Sequence, residues 1–270
     1  GLMAVSMNAH AATVERLWGK PIMSSFHAGF SLGGLIGTGF GAATLALGVP
    51  THLLMLPAAA TVGVLVLIGC PFLGRGRTQG QQGMVFQLPD RVLLPFALIA
   101  LCCFLIEGAM ADWGGVYLTT LGVAPAAAAA GYGAFSLAMV IGRFSGDRIV
   151  YVVGRSRVVG YGATLAMLGL LATVLLPAFW SIVPGFALVG FGLANVVPVV
   201  FSSSAKLGKT AAAGIAAVST AGYGGMLAGP PLIGAVAAVS TLRIGMAVLA
   251  AFALLALAFS LIAGRTRSAS

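Results

Sequence analysis

Long apolar runs broken by short polar clusters dominate the chain. Stretches of about 20 apolar residues, the length a helix needs to cross ~30 Å of hydrocarbon, fall at 24–47, 52–73, 93–118, 124–144, 158–177, 180–204, 211–239 and 243–263. Residues 1–13 form a further apolar piece, about 20 Å long as a helix and too short to span alone. None of the runs shows the period-two alternation of a half-buried strand. Only helices and closed barrels satisfy their backbone polar groups in lipid. The pattern therefore predicts an all-α, polytopic membrane helix bundle.

The polar clusters between the runs set an orientation. Taken alternately, the connections hold Arg16 and Lys20, then Arg75, Arg77 and Arg91, then Arg143, Arg148, Arg155 and Arg157, then Lys206 and Lys209, with Arg265 and Arg267 in the tail. Of the 14 basic residues only Arg243 falls on the other face. Basic loops face the cytoplasm, which predicts a multi-pass protein of the cell membrane with its C-terminus inside. The opposite connections, 48–51 and 177–180, are short and uncharged.

Composition strengthens this reading. The chain is 60% hydrophobic and 7% charged, with a mean hydropathy of +1.08, whereas soluble domains carry roughly 25% charged residues. Its five acidic residues, Glu15, Asp90, Glu107, Asp112 and Asp147, cannot cover a water-facing surface. A basic excess of nine would suit nucleic acid only if gathered on one soluble face. Distributed between apolar runs it marks topology, and no nucleic-acid partner is expected. Cys70, Cys102 and Cys103 show neither metal-ligand nor disulfide spacing, so they read as small packing residues. No cofactor is expected. The chain opens on Gly1 within an apolar run, which, with the odd number of apolar pieces, reads as a chain cut inside a helix.

A faint internal repeat points the same way. Ala28-Gly29-Phe30 followed by Gly33-Gly34-Leu35 resembles Ala221-Gly222-Tyr223 followed by Gly224-Gly225-Met226, and Asn8 stands to Asn195 at a similar offset of about 190 residues. Parallel repeats of six helices are a transporter architecture.

Glu107 is the sharpest chemical signal, because it falls close to mid-span in 93–118. A charge at helix centre costs roughly 2.5–3.5 kcal/mol on insertion scales. Two readings fit it: a proton or substrate site in a central cavity, or a protonated packing group. Asp112 is rotated about 140° from Glu107, so the two do not form a catalytic pair; Asp112 serves an outer gate or simply reaches interfacial water. Arg143 and Asp147 stand at i and i+4, followed by Arg148 and Arg155. They fit a cytoplasmic gating latch, or an ordinary basic loop. Asn8, Asn195, His27 and Tyr223 are polar groups in apolar helices that either line the cavity or hold helices together. Pro198 is expected to kink its helix, as are Pro230 and Pro231. The chain contains no His-Glu-x-x-His, paired-aspartate or Gly-x-Ser-x-Gly signature, so it is not expected to be an enzyme.

Residues 6–11 (Ser-Met-Asn-Ala-His-Ala), 24–34 (Ser-Ser-Phe-His-Ala-Gly-Phe-Ser-Leu-Gly-Gly) and 107–113 (Glu-Gly-Ala-Met-Ala-Asp-Trp) resemble major facilitator superfamily transporters. The likeness is to the bacterial fucose-permease-like branch. Gly142 to Arg157 resembles the superfamily loop signature in its C-terminal copy, while 195–201 and 229–234 are similar to the tenth and eleventh helices. The resemblance implies that 1–73 is the remainder of an N-terminal bundle, holding part of a fourth helix with the fifth and sixth. It implies a cytoplasmic linker at 74–92, a C-terminal six-helix bundle at 93–264 and a cytoplasmic tail at 265–270. It also implies alternating access for a small-molecule, sugar-like substrate, coupling to protons with Glu107 the favoured position, and residence in the bacterial inner membrane among its lipids. Efflux of a drug or metabolite by the same fold, an intramembrane enzyme, and a non-transporting truncated protein are the alternatives.

Overall fold

In a computed structural model of the chain, residues 2–29, 31–33, 36, 51–70 and 89–268 are described. Among these residues there is no strand. The helices are α1 (Leu2–Trp18), α2 (Thr51–Gly69), α3 (Leu94–Thr120), α4 (Pro125–Val153), α5 (Arg155–Leu175), α6 (Phe179–Leu193), α7 (Val196–Leu207), α8 (Ala211–Val239) and α9 (Leu242–Ser268). Residues 23–29 and 31–33 are also helical. Two units separate by contact: Leu32–Val85, which holds α2, and the rest of the chain, which holds everything else. Five described stretches are long and apolar enough to cross a membrane: Leu94–Thr120, Arg155–Leu175, Phe179–Leu207, Ala211–Val239 and Leu242–Gly264. Large apolar side chains such as Leu175, Trp180, Leu227, Val239 and Leu261 stay exposed, as they must where the solvent is lipid.

Local chemistry explains the boundaries. Asp90 starts α3 by accepting the Val92 and Leu93 N–H groups at 3.1 and 2.9 Å, and Gly122, at φ 80°, lies just past its end. Pro125 opens α4 at a position where a missing N–H costs nothing. The expected run 124–144 continues as helix to Val153 because nothing in 145–153 breaks it, so Arg143, Asp147 and Arg148 lie on a helix flank and not in a loop. A single residue, Gly154 at φ 91°, joins α4 to α5. Likewise the piece expected at 1–13 runs on to Trp18. The expected run 52–73 is seen as α2 with residue 70, that at 24–47 is described only in part, and linker residues 74–88 lie outside the described residues.

Proline chemistry shapes the long helices differently. Pro198 lacks the N–H that would bond the Ala194 carbonyl one turn back, and the apolar run 180–204 parts at Ala194–Asn195 into α6 and α7. In α8 the helix continues through Pro230 and Pro231. Pro230 leaves the Met226 carbonyl without its usual donor, and Gly108 of α3 lies against that oxygen: a Cβ there would sit 2.7 Å from it. Gly225 and Gly229 lie in the same way against the Leu101 and Leu105 carbonyls. Small residues let α3 and α8 touch backbone to backbone, the packing that substitutes for hydrophobic drive in lipid. The core they enclose includes Ile106, Met110, Phe186, Leu193 and Phe201.

Candidate functional site

Glu107 lies in the middle of α3 and is 18% exposed, and its carboxylate approaches the Arg143 guanidinium of α4 at 3.6 Å. Arg143 itself is 4% exposed. Its Nε donates to the Ala194 carbonyl at 3.4 Å, the oxygen that Pro198 leaves free, and its NH1 donates to the Ser31 hydroxyl. The helix break thus supplies an acceptor to a buried cation. Beside it, Asn195 Nδ2 donates to the Gly142 carbonyl at 2.8 Å, while Asn195 Oδ1 is buried with no hydrogen-bond partner. Gly146 is required there, because a Cβ would collide with Asn195 and lie 2.7 Å from Ser24 Cβ.

Residues from the N-terminal part of the chain complete this polar set. His27 Nε2 lies 3.1 Å from Asn8 Oδ1, and its ring packs at 5.7 Å, tilted, on Phe201 of α7. Phe201 leads to Phe104, and Phe104 stacks on Tyr223 at 5.6 Å. Asn8, His27, Ser31, Glu107, Arg143 and Tyr223 therefore gather beside an aromatic wall, with Asn195 adjoining through the Ala194 break. Of the residues the sequence marked for a cavity, Asp112 alone stays apart, exposed on α3. Ser31 and Phe104 were not marked; a serine in an apolar helix and one phenylalanine among 15 give no distinguishing signal.

Toward the basic ends of the helices lies a second cluster. Asp147 accepts the Ser24 and Ser25 N–H groups at 3.0 and 3.2 Å and the Ser25 hydroxyl. Glu15, past the apolar residues of α1, accepts the Ile22 and Met23 N–H groups at 3.1 and 3.0 Å through Oε2. Its Oε1 pairs with Arg155 at 2.8 Å and accepts from the Ser202 hydroxyl. Arg155 also donates to Ser202 at 2.6 Å. Four successive N–H groups at the start of the helix at 23 are thus taken by two carboxylates, an arrangement that also complements the helix dipole. Burial pushes the Glu15 carboxyl up, but the bonds from Ser202, the Arg155 charge and the Ile22 N–H outweigh it and hold the group below its ordinary value. For Asp147 burial prevails over the Ser25 and Ser24 bonds, and with the Glu15 charge nearby its carboxyl is raised.

The residues expected to form a latch are divided: Asp147 and Arg155 fall in this second cluster with Glu15 and Ser202, Arg143 turns instead to Glu107, and Arg148 is exposed on the flank of α4. The acid next to Arg16 was the available signal for Glu15, but its distant partner, 140 residues along the chain, leaves no local trace.

No family model matches the chain. It is 36% identical over 246 residues to an uncharacterised MFS-type transporter of Yersinia pestis, covering 90% of this chain and 64% of that protein. An uncharacterised transporter of Sinorhizobium fredii is 36% identical over 261 residues, 94% of this chain and 69% of its own. Membrane protein MosC of Rhizobium meliloti is 32% identical over 244 residues, 88% and 58%. The chain spans between 58% and 69% of the length of these relatives.

Proposed function

We propose that the chain is a major facilitator superfamily transporter, like the relative it matches at 36% identity, and that it serves secondary active transport of a small organic solute by alternating access, coupled to protons through Glu107. The observation that carries the coupling is the Glu107–Arg143 pair, an ionisable acid in the middle of a membrane-length helix facing a buried cation. Intramembrane charges of this kind mark ion or substrate paths. The basic ends of the helices face the cytoplasm of the inner membrane, on the positive-inside rule.

In this reading the N-terminal part of the chain and the bundle at 93–264 are the two bodies that rock. The Glu15–Arg155–Ser202 and Asp147–Ser24–Ser25 contacts close the seam between them at the basic end, and their release opens it. Solute meets the polar set from the opposite side while the seam is shut. Asn8, His27 and Tyr223 face the solute, and Asn195 supports the loop of helix that anchors Arg143.

Uptake into proteoliposomes tests the coupling. With a panel of labelled sugars and organic acids, wild-type uptake rises with an inward proton gradient, and Glu107→Gln abolishes that dependence. Undiminished gradient-driven uptake by the variant rules out Glu107 as the coupling residue.

A further inference from the structure

Among the described residues, the buried Arg143 guanidinium meets one carboxylate oxygen and two neutral acceptors. Five N–H donors in a planar fork are best satisfied by a carboxylate held through two parallel bonds of about 2.7–2.9 Å. Its anionic partner among the described residues, Glu107, reaches it through one oxygen at 3.6 Å, and its remaining contacts, the Ala194 carbonyl and the Ser31 hydroxyl, are neutral. A pair kept for stability alone would need close geometry to offset the desolvation of both charges. A long, one-point pair suits a guanidinium that exchanges partners.

We propose that the transported solute is a small monocarboxylate whose carboxylate replaces Glu107 on Arg143, leaving Glu107 to take up the coupled proton. This rests on the transport reading and specifies its substrate class. Charge balances at each stage: one anion arrives, one proton joins the displaced carboxylate, and the guanidinium remains paired. Once displaced, Glu107 has the Cys103 thiol on its own helix and the Tyr223 hydroxyl of α8 as neighbours, and His27 is an electrostatic neighbour of Arg143. None of these supplies a positive charge to replace the guanidinium, so an ionised Glu107 would be left uncompensated in apolar surroundings. Proton uptake therefore follows solute binding and does not require a separate trigger.

The same neighbourhood describes the rest of the solute. Tyr223, half-buried and stacked on Phe104, offers a flat apolar face to a carbon skeleton, and the Asn8–His27 pair offers polar partners to a hydroxyl or carbonyl. A phosphate dianion would bring a second charge against a single cation. A neutral sugar would leave the Arg143–Glu107 pair in place and take up no proton.

The test uses the purified chain in detergent, titrated calorimetrically with lactate, gluconate, glucuronate and benzoate, with glucose and inorganic phosphate as controls. Proton uptake is followed with a pH-sensitive dye in weak buffer. At least one monocarboxylate binds and draws in about one proton per site, while glucose and phosphate bind at least about tenfold more weakly. In Glu107→Gln the monocarboxylate binds as well or more tightly, because the amide no longer competes, and the proton uptake vanishes. Arg143→Gln loses the binding by about tenfold or more, and Arg143→Lys recovers part of it; the Glu107→Gln result decides the question even if Arg143→Gln fails to fold. Equal binding of glucose, no binding of any monocarboxylate, or proton uptake persisting in Glu107→Gln overturns the proposal. Carboxylate binding with proton uptake but no vesicle transport would sink the transport reading alone, whereas vesicle uptake of glucose without carboxylate binding would sink this inference alone.

Discussion

Replacing Glu15 by glutamine is the most discriminating perturbation of the seam. The two oxygens of Glu15 face opposite ways, Oε2 toward the Ile22 and Met23 N–H groups and Oε1 toward Arg155 and Ser202. Every one of these contacts places a donor against an acceptor oxygen. A glutamine has one such oxygen; its NH₂ must face donors on one side or the other. Either Ile22 and Met23 lose their acceptor, or Arg155 does. Leaving a buried donor without a partner costs about 1–3 kcal/mol, so Glu15→Gln removes about 2–5 kcal/mol from the closed seam. Since about 1.4 kcal/mol is a factor of ten, the open population rises at least about thirtyfold. The assay is maleimide labelling of Met23→Cys, in a variant otherwise free of cysteine, in membrane vesicles. Met23 is 2% exposed, so its cysteine reacts slowly while the seam is shut. Labelling accelerates about thirtyfold or more in the Glu15→Gln background. An unchanged rate would refute the idea that Glu15 closes the seam.

The same carboxylate predicts a pH response. Glu15 is held below its ordinary value of 4.5, so its stabilising share is complete above that value and is lost as pH falls through the lower folded-state value. The difference in melting temperature between wild type and Glu15→Gln is accordingly flat from pH 8 to 5 and shrinks below 4.5; a difference that shrinks already between pH 8 and 6 contradicts it. Packing of α3 on α8 gives a paired control. A Cβ at Gly229 would sit 2.5 Å from the Leu105 carbonyl whereas one at Gly224 meets nothing within 4 Å, so Gly229→Ala destabilises by about 1–3 kcal/mol and Gly224→Ala by less than about 0.5 kcal/mol, both read from thermal unfolding in detergent.

Much of the architecture was legible because lipid imposes a simple rule. Runs of 20 apolar residues must be helices, and the described ones are. Boundaries were less legible, since helix α4 continues past its apolar run through Arg143, Asp147 and Arg148, where charge ends the membrane segment but nothing ends the helix. Prolines illustrate the same limit. Pro198 parts its run while Pro230 and Pro231 do not, and the carbonyls they free are met by residues far along the chain, Ala194 by Arg143 and Met226 by Gly108. In the polar set, Glu107 was legible from its position alone, because an acid at mid-span is costly. Its partner was not, for Arg143 reads equally well as one more basic residue at the end of a run. Glu15 and Ser202 could not be paired by any local pattern, being joined only when α1 meets α7.

The start of the helix at 23 has a consequence for how the seam works in solvent. Its four N–H groups divide between Glu15 and Asp147, one carboxylate from each side of the seam. When the sides part, the Ser24 and Ser25 N–H groups, Asp147 and the Oε1 of Glu15 all need new partners together, and water is what can supply them. Opening is therefore a hydration event as well as a hinge motion, drawing a small group of waters onto these groups at each turnover. The rate of the cycle is then tied to water activity, so that impermeant osmolytes on the basic side slow it without touching the solute site.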